Sequence, residues 1–191
     1  MSKKLEIRKM EKGDARAVID ISNDYPNAFG WSMVEVQGLL DREETVGYLA
    51  FAREPSRRAI RFPAGFVMGY PSEDFDTLWK GYAAQRLPED LVEDNYFYLH
   101  GLVVSPELPA AGLSKKRVAN SLLKQFEREL HGAGYRGIVS VAPIEITTGY
   151  KPGRFGFSKD DKIEGFWNYM SLGRRLTIPA TPIYKSIHPA D

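Results

Sequence analysis

The sequence predicts an α/β fold, on two observations. Short apolar or alternating runs that suit strands are interleaved with segments whose apolar residues recur at helical spacing. The chain has 191 residues, 43% of them hydrophobic, enough to bury one sizeable core and too few to suggest two, so one domain is expected over residues 1–191.

Leu5 to Arg8 alternates like a first strand, and Asp14 precedes Ala15, Val18, Ile19 and Ser22, a short helix with one apolar face. Ser32 and Glu35 have the spacing in which a hydroxyl and a carboxylate cap a helix reciprocally, with Val36, Leu39 and Leu40 as its buried stripe. Thr45 to Arg53 and Pro63 to Tyr70 read as an antiparallel pair of strands joined by an Arg-rich turn. An insertion at 72–95 follows, with a helix-like run anchored by Phe75, Leu78 and Trp79 and then an acidic loop. It reads equally as a lid or as a packing helix.

Tyr96 to Val104 is apolar nearly throughout, as a central strand covered on both faces should be. In the next helix Leu113, Val118, Leu122, Phe126 and Leu130 fall on one side, and Gly132 and Gly134 end it. Arg136 to Ala142 is a further buried strand, and Pro143 to Gly149 a short helix or turn. Gly156 to Asn168 and Asn168 to Leu176 make a terminal hairpin. From about residue 177 the tail TIPATPIYKSIHPAD, interrupted by X-Pro steps, is expected to be an extended surface segment.

Lys and Arg number 26 against 25 Asp and Glu, a net charge of +1, so nothing global favours a nucleic-acid or acidic-membrane partner. Without cysteine there are no disulfides, thiolate metal sites or cysteine nucleophile. His100, His131 and His188 have no metal-ligand spacing, so no metal is expected. The N-terminus lacks an apolar secretory core, and no window approaches the ~18 apolar residues of a membrane span. A cytoplasmic protein is the expectation.

The stretch YLHGLVVSPELPAAGLSKKRVANSLLKQFEREL, from Tyr98 to Leu130, carries the functional signal. A strand that runs through a small-residue loop into a helix presents backbone N–H groups at the positive end of the helix dipole, a ready cradle for phosphate. The glycines of a dinucleotide-binding fingerprint and the Gly-Lys-Ser/Thr of a P-loop are absent.

With FGWSMVEVQGLL near the N-terminus, LHGLVVSPELPAAGLS at the centre and RFGFSKDDKIEGFWNYMSLGRRL near the end, the chain resembles the GNAT superfamily, the Gcn5-related N-acetyltransferases, over residues 4 to 176. The first stretch resembles the ribosomal-protein-alanine (RimI-like) branch. The resemblance implies a mixed, mostly antiparallel sheet of about six to seven strands, splayed between 98–104 and 136–142 and flanked by about four helices. It also implies that acetyl-CoA, or another acyl-CoA, is the co-substrate. The loop would hold the pyrophosphate through Ala110, Ala111, Gly112, Leu113, Ser114 and Lys115, and the pantetheine arm would lie along Leu102, Val103 and Val104. Pro109 stands where the family carries Arg or Gln, which removes an N–H and a long polar side chain.

Acylation of an amine needs a proton acceptor, a stabilised oxyanion and usually a proton for the departing thiolate. The resemblance assigns His100, acting through a water, as general base, Glu145 as the competing base and Tyr150 as the proton donor. The acceptor, a protein N-terminus or a small amine, would enter over Tyr25, Phe29, Trp31 and the 72–95 insertion. A homodimer is compatible with this. The reading from a different class is a GNAT-fold module that binds acyl-CoA or a partner protein without catalysis.

Overall fold

The computed structural model describes residues 5–23, 31–53, 61–72, 95–108, 113–143, 157–159, 165–171 and 174–187. The chain forms two compact units, Met1–Gly69 with His100–Glu129 and Tyr70–Leu99 with Leu130–Asp191.

In the first unit β1 (Leu5–Lys9) pairs antiparallel with β2 (Val46–Arg53), and β2 with β3 (Arg61–Pro71), as the alternation and the Arg-rich turn predict. The β2/β3 register slips once. Ala50 stands opposite Gly65 and Phe51 opposite Pro63, so Ala64 is the extra residue of a β-bulge. Its carbonyl turns instead to Ser105, whose amide donates to it at 2.9 Å just beyond β4 (Tyr96–Val104). Gly65 allows this approach. A Cβ there would stand 2.7 Å from the Val103 carbonyl oxygen, 3.1 Å from Val104 Cα and 3.3 Å from Leu122 Cδ1.

Helix α1 (Ala15–Asn23) follows a 3-10 turn at Lys12–Asp14. Asp14 accepts two bonds from Arg8, at 2.6 and 2.7 Å, and one from the Glu11 amide, which anchors the turn to β1. Helix α2 (Met33–Leu40) begins at the predicted cap. Ser32 Oγ accepts from the Glu35 amide, and the Ser32 amide donates back to Glu35 Oε2 at 2.8 Å. Helix α3 (Lys115–Gly132) buries Val118, Leu122 and Phe126 completely, the stripe its spacing predicts. Glu129 ties this helix to the hairpin, accepting from Lys9 at 2.7 Å and from the Tyr48 hydroxyl at 2.9 Å.

In the second unit Tyr96–Tyr98 of β4 pair in parallel with Gly137–Val139 of β5 (Gly137–Pro143). Gly134, at φ +88°, ends the helix that leads in, and Asn95 accepts from Arg136 at 3.0 Å to bring the two strand starts level. Strand β8 (Arg174–Ser186) lies antiparallel to β5, with β6 (Ser158–Lys159) and β7 (Gly165–Ser171) also paired to it. Tyr70, Phe97, Tyr98, Leu130, Ile138 and Val139 form this unit's buried core with Phe157 and Ile183.

The C-terminal expectations need correction. The tail from about 177 does not run free of the sheet, because β8 continues to Ser186 and residues 180–186 pair with β5 from Pro143 back to Gly137. The prolines that argued against a strand are accommodated, since a missing N–H removes one ladder bond and leaves the neighbouring pairs intact. The hairpin reverses between Ser171 and Arg174, which pair, and not at Asn168. The strand expected over Gly156–Asn168 is present as two, β6 and β7; between them lies the charged run Asp160-Asp161-Lys162, poor in strand formers. The rest of the 72–95 insertion and the turn after Pro143 lie outside the described residues.

Replacing Gly65 by Ala is expected to destabilise the fold by about 2 kcal/mol, an overpacking cost, because the nearest obstacle is backbone that cannot rotate away. Urea unfolding of the variant should show a lower midpoint at unchanged slope.

Candidate functional site

β4 leaves its parallel partner early. The last pair is Tyr98 with Val139, and the Ser140 hydroxyl donates to the Leu99 carbonyl at 2.8 Å, closing the ladder with a side chain. Strand β4 then runs on through His100, Gly101, Leu102, Val103 and Val104. Leu102 and Val103 are half-buried, and Val104 is buried beside Gly65.

The chain beyond β4 is pinned at both ends. Ser105 is held by Ala64 and accepts from the Glu107 amide on its own hydroxyl. Leu108 is fully buried, and its carbonyl accepts from the amide of Leu113, itself buried. Pro109, Ala110, Ala111 and Gly112 lie outside the described residues. Ser114 is the cap of α3, its hydroxyl accepting from the Arg117 amide at 3.2 Å. The first turn of α3 holds Lys115, Lys116 and Arg117 and no acid. Three cations at the positive end of a helix dipole are mutually unfavourable, and an anion there relieves both.

Along the same helix Ser114, Lys116, Arg117, Asn120, Ser121 and Lys124 line a shallow polar hollow of about 330 Å³. The sequence points to Ser114 and, as nearby positive charge, Lys116 among these. The helical spacing of 117, 121 and 124 was the signal that could have found the others.

His100 is the titratable group on this part of β4. The residue is partly exposed, but Nδ1 is buried, and burial lowers the imidazole from its ordinary 6.5 to about 3. Its ring centroid stands 4.4 Å from that of Trp31, which in turn lies 5.4 Å from Phe66. Trp31 and His100 are thus brought together from sites far apart in sequence. Tyr25, Phe29, Glu145 and Tyr150 lie outside the described residues. Among the described residues no group of acids and histidines could hold a metal, and no helix is long and apolar enough to cross a membrane.

No protein-family model matches the chain, and no curated protein sequence does. Solved structures do match. The ribosomal-protein-S18-alanine N-acetyltransferase of Escherichia coli is similar with a TM-score of 0.60 at 16% identity, over 98% of this chain and 97% of that one. NAA60 of Arabidopsis thaliana, solved with acetyl-CoA, gives 0.65 at 15% identity over 96% and 99%. The PaiA N-acetyltransferase of Thermoplasma acidophilum, solved with coenzyme A, gives 0.56 at 15% identity over 97% and 99%. The fold is that of the GNAT acetyltransferases.

The His100 shift has a consequence for stability. Between about 6.5 and about 3 the unfolded chain binds a proton that the folded chain refuses, so this contribution is fully present above 6.5 and is lost as pH falls toward 3. Urea melts from about pH 7 to about pH 4 should show stability falling with pH, and His100→Gln should flatten that dependence.

Proposed function

We propose that this protein is an N-acyltransferase that carries acetyl from acetyl-CoA, or another acyl group from its CoA thioester, to a primary amine. The observation that carries this reading is the strand-loop-helix passage on that fold. β4 outruns its partner after Tyr98, and the pinned turn after it delivers the chain into the basic first turn of α3. Similar structures solved with acetyl-CoA or coenzyme A support it.

In this reading the backbone of Leu102, Val103 and Val104 receives the pantetheine arm, and the loop from Ala110 to Ser114, with Lys115, receives the pyrophosphate. Pyrophosphate bound by N–H groups needs small residues more than charged ones, so in this reading Ala110, Ala111 and Gly112 carry the cradle and Pro109 contributes no donor. The acceptor, a protein N-terminus or a small amine, approaches over Trp31, with Tyr25 and Phe29 completing the entry.

The amine attacks the thioester carbon, its nitrogen loses a proton, and the thiolate leaves with one. An imidazole that titrates near 3 is too weak a base for a free ammonium ion. It suits the tetrahedral intermediate, whose nitrogen is far more acidic. We therefore assign His100, through a water, to that later proton, with the acceptor arriving as the free amine. Glu145 is the alternative base, and Tyr150 supplies the thiolate's proton. The acidic limb of the rate profile then belongs to the acceptor and not to His100.

One observation favours a second reading, a module that binds acyl-CoA without turning it over: the weak basicity of His100 combined with Pro109 in the loop. The two readings separate in one assay. Acetyl-CoA at about a hundredfold over its dissociation constant should stabilise the protein by about 2.7 kcal/mol, and free CoA should appear when a panel of amines is added. Stabilisation with no CoA release from any amine selects the binding module. Gly112→Asp should weaken acetyl-CoA binding at least about tenfold, or about 1.4 kcal/mol, with the fold retained. His100→Gln should lower kcat/KM by about a hundredfold or more while leaving the acidic limb in place.

A further inference from the structure

Trp31 stands immediately before the Ser32 cap of α2, and Gly101 is where its indole lands. A Cβ on Gly101 would lie 2.6 Å from Trp31 Cη2 and 2.9 Å from Cζ2, with Phe66 Cε2 at 3.4 Å. No other amino acid leaves that space. The same indole meets the His100 ring at a 43° tilt with centroids 4.4 Å apart, and it also packs against the fully buried Phe66 at 5.4 Å. One side chain therefore bridges a strand glycine, a strand histidine and a phenylalanine of β3.

Trp31 sets an aromatic, uncharged ring against His100. Glu35, the acid nearest to Trp31 along α2, spends its carboxylate on the Ser32 amide and hydroxyl, each at 2.8 Å. Burial alone accounts for the lowered basicity of the imidazole. The capping box holds the start of α2, and through it the base of the Trp31 side chain, so the contact is anchored at both ends.

We propose that Trp31, seated on Gly101, is the positioning residue of the transfer site: it holds the His100 imidazole in one orientation and shields it from bulk water where the amine meets the thioester. This rests on the acyltransferase reading. An imidazole fixed in this way presents its lone pair along one line to the single water that relays the acceptor's proton, whereas a rotating one would offer that water no fixed line.

The test uses the full chain with 15N-labelled histidine, His100→Gln to assign the His100 signal, and exposed His131 as reference. In the wild type the His100 signal should hold constant from about pH 8 to about pH 5. Trp31→Ala and Gly101→Ala should each bring its titration into that range, and Trp31→Phe should restore the wild-type response. Trp31→Leu replaces the alanine variant if that one does not fold. In acyl transfer, Trp31→Ala and Gly101→Ala should lower kcat at least about tenfold with acetyl-CoA affinity unchanged within about twofold. An unchanged His100 titration in both variants, or wild-type kcat in both, overturns the proposal. If the wild type acylates no amine, the functional reading falls by itself, and the titration still decides whether Trp31 positions His100.

Discussion

Backbone packed on backbone at Gly65 is the contact on which the first unit turns. With no side chain in the way, the Val103 carbonyl and Val104 Cα come against β3, and Leu122 of α3 closes over the same point. The bulge beside it frees the Ala64 carbonyl to hold Ser105, so the strand ends at a defined place. Leu108 and Leu113, buried and bonded to each other, then return the chain to the capping Ser114. Strand end and helix start are thereby fixed at defined places.

Gly101 repeats the device on the same strand with a different consequence. At Gly65 the missing side chain admits backbone, and at Gly101 it admits an indole. An aromatic surface beside an imidazole cannot compensate a positive charge as a carboxylate would, and burial lowers the basicity of His100. Catalytic histidines are usually tuned near neutrality so that they exchange protons readily at working pH. Burial instead keeps His100 neutral at working pH.

The likeness to N-acetyltransferases at 15–16% identity, with no matching sequence pattern, has a physical explanation in these contacts. A fold of this kind asks for apolar stripes of the right period, small residues at a few close approaches and a helix start at the loop. A phosphate cradle built from N–H groups asks for little side-chain identity beyond smallness. Sequences can drift far while both conditions hold.

The amino-acid sequence by itself determined the local features. The bounds of β4, the reciprocal Ser32–Glu35 cap and the buried stripe Val118, Leu122, Phe126 all stand as read, because each depends on residues within a turn or two of one another. The helix itself was legible, but Leu113, read as part of its buried face, lies before the Ser114 cap. Tertiary structure alone decided the rest. Residues 180–186 read as an extended surface tail since prolines dominate the local signal, yet pairing with β5 makes them part of the sheet. The basicity of His100 and the seating of Trp31 on Gly101 join residues some seventy positions apart, and no periodicity in the chain records such a contact. Burial and strand pairing are properties of what lies across the fold, and a linear pattern carries only what lies along it.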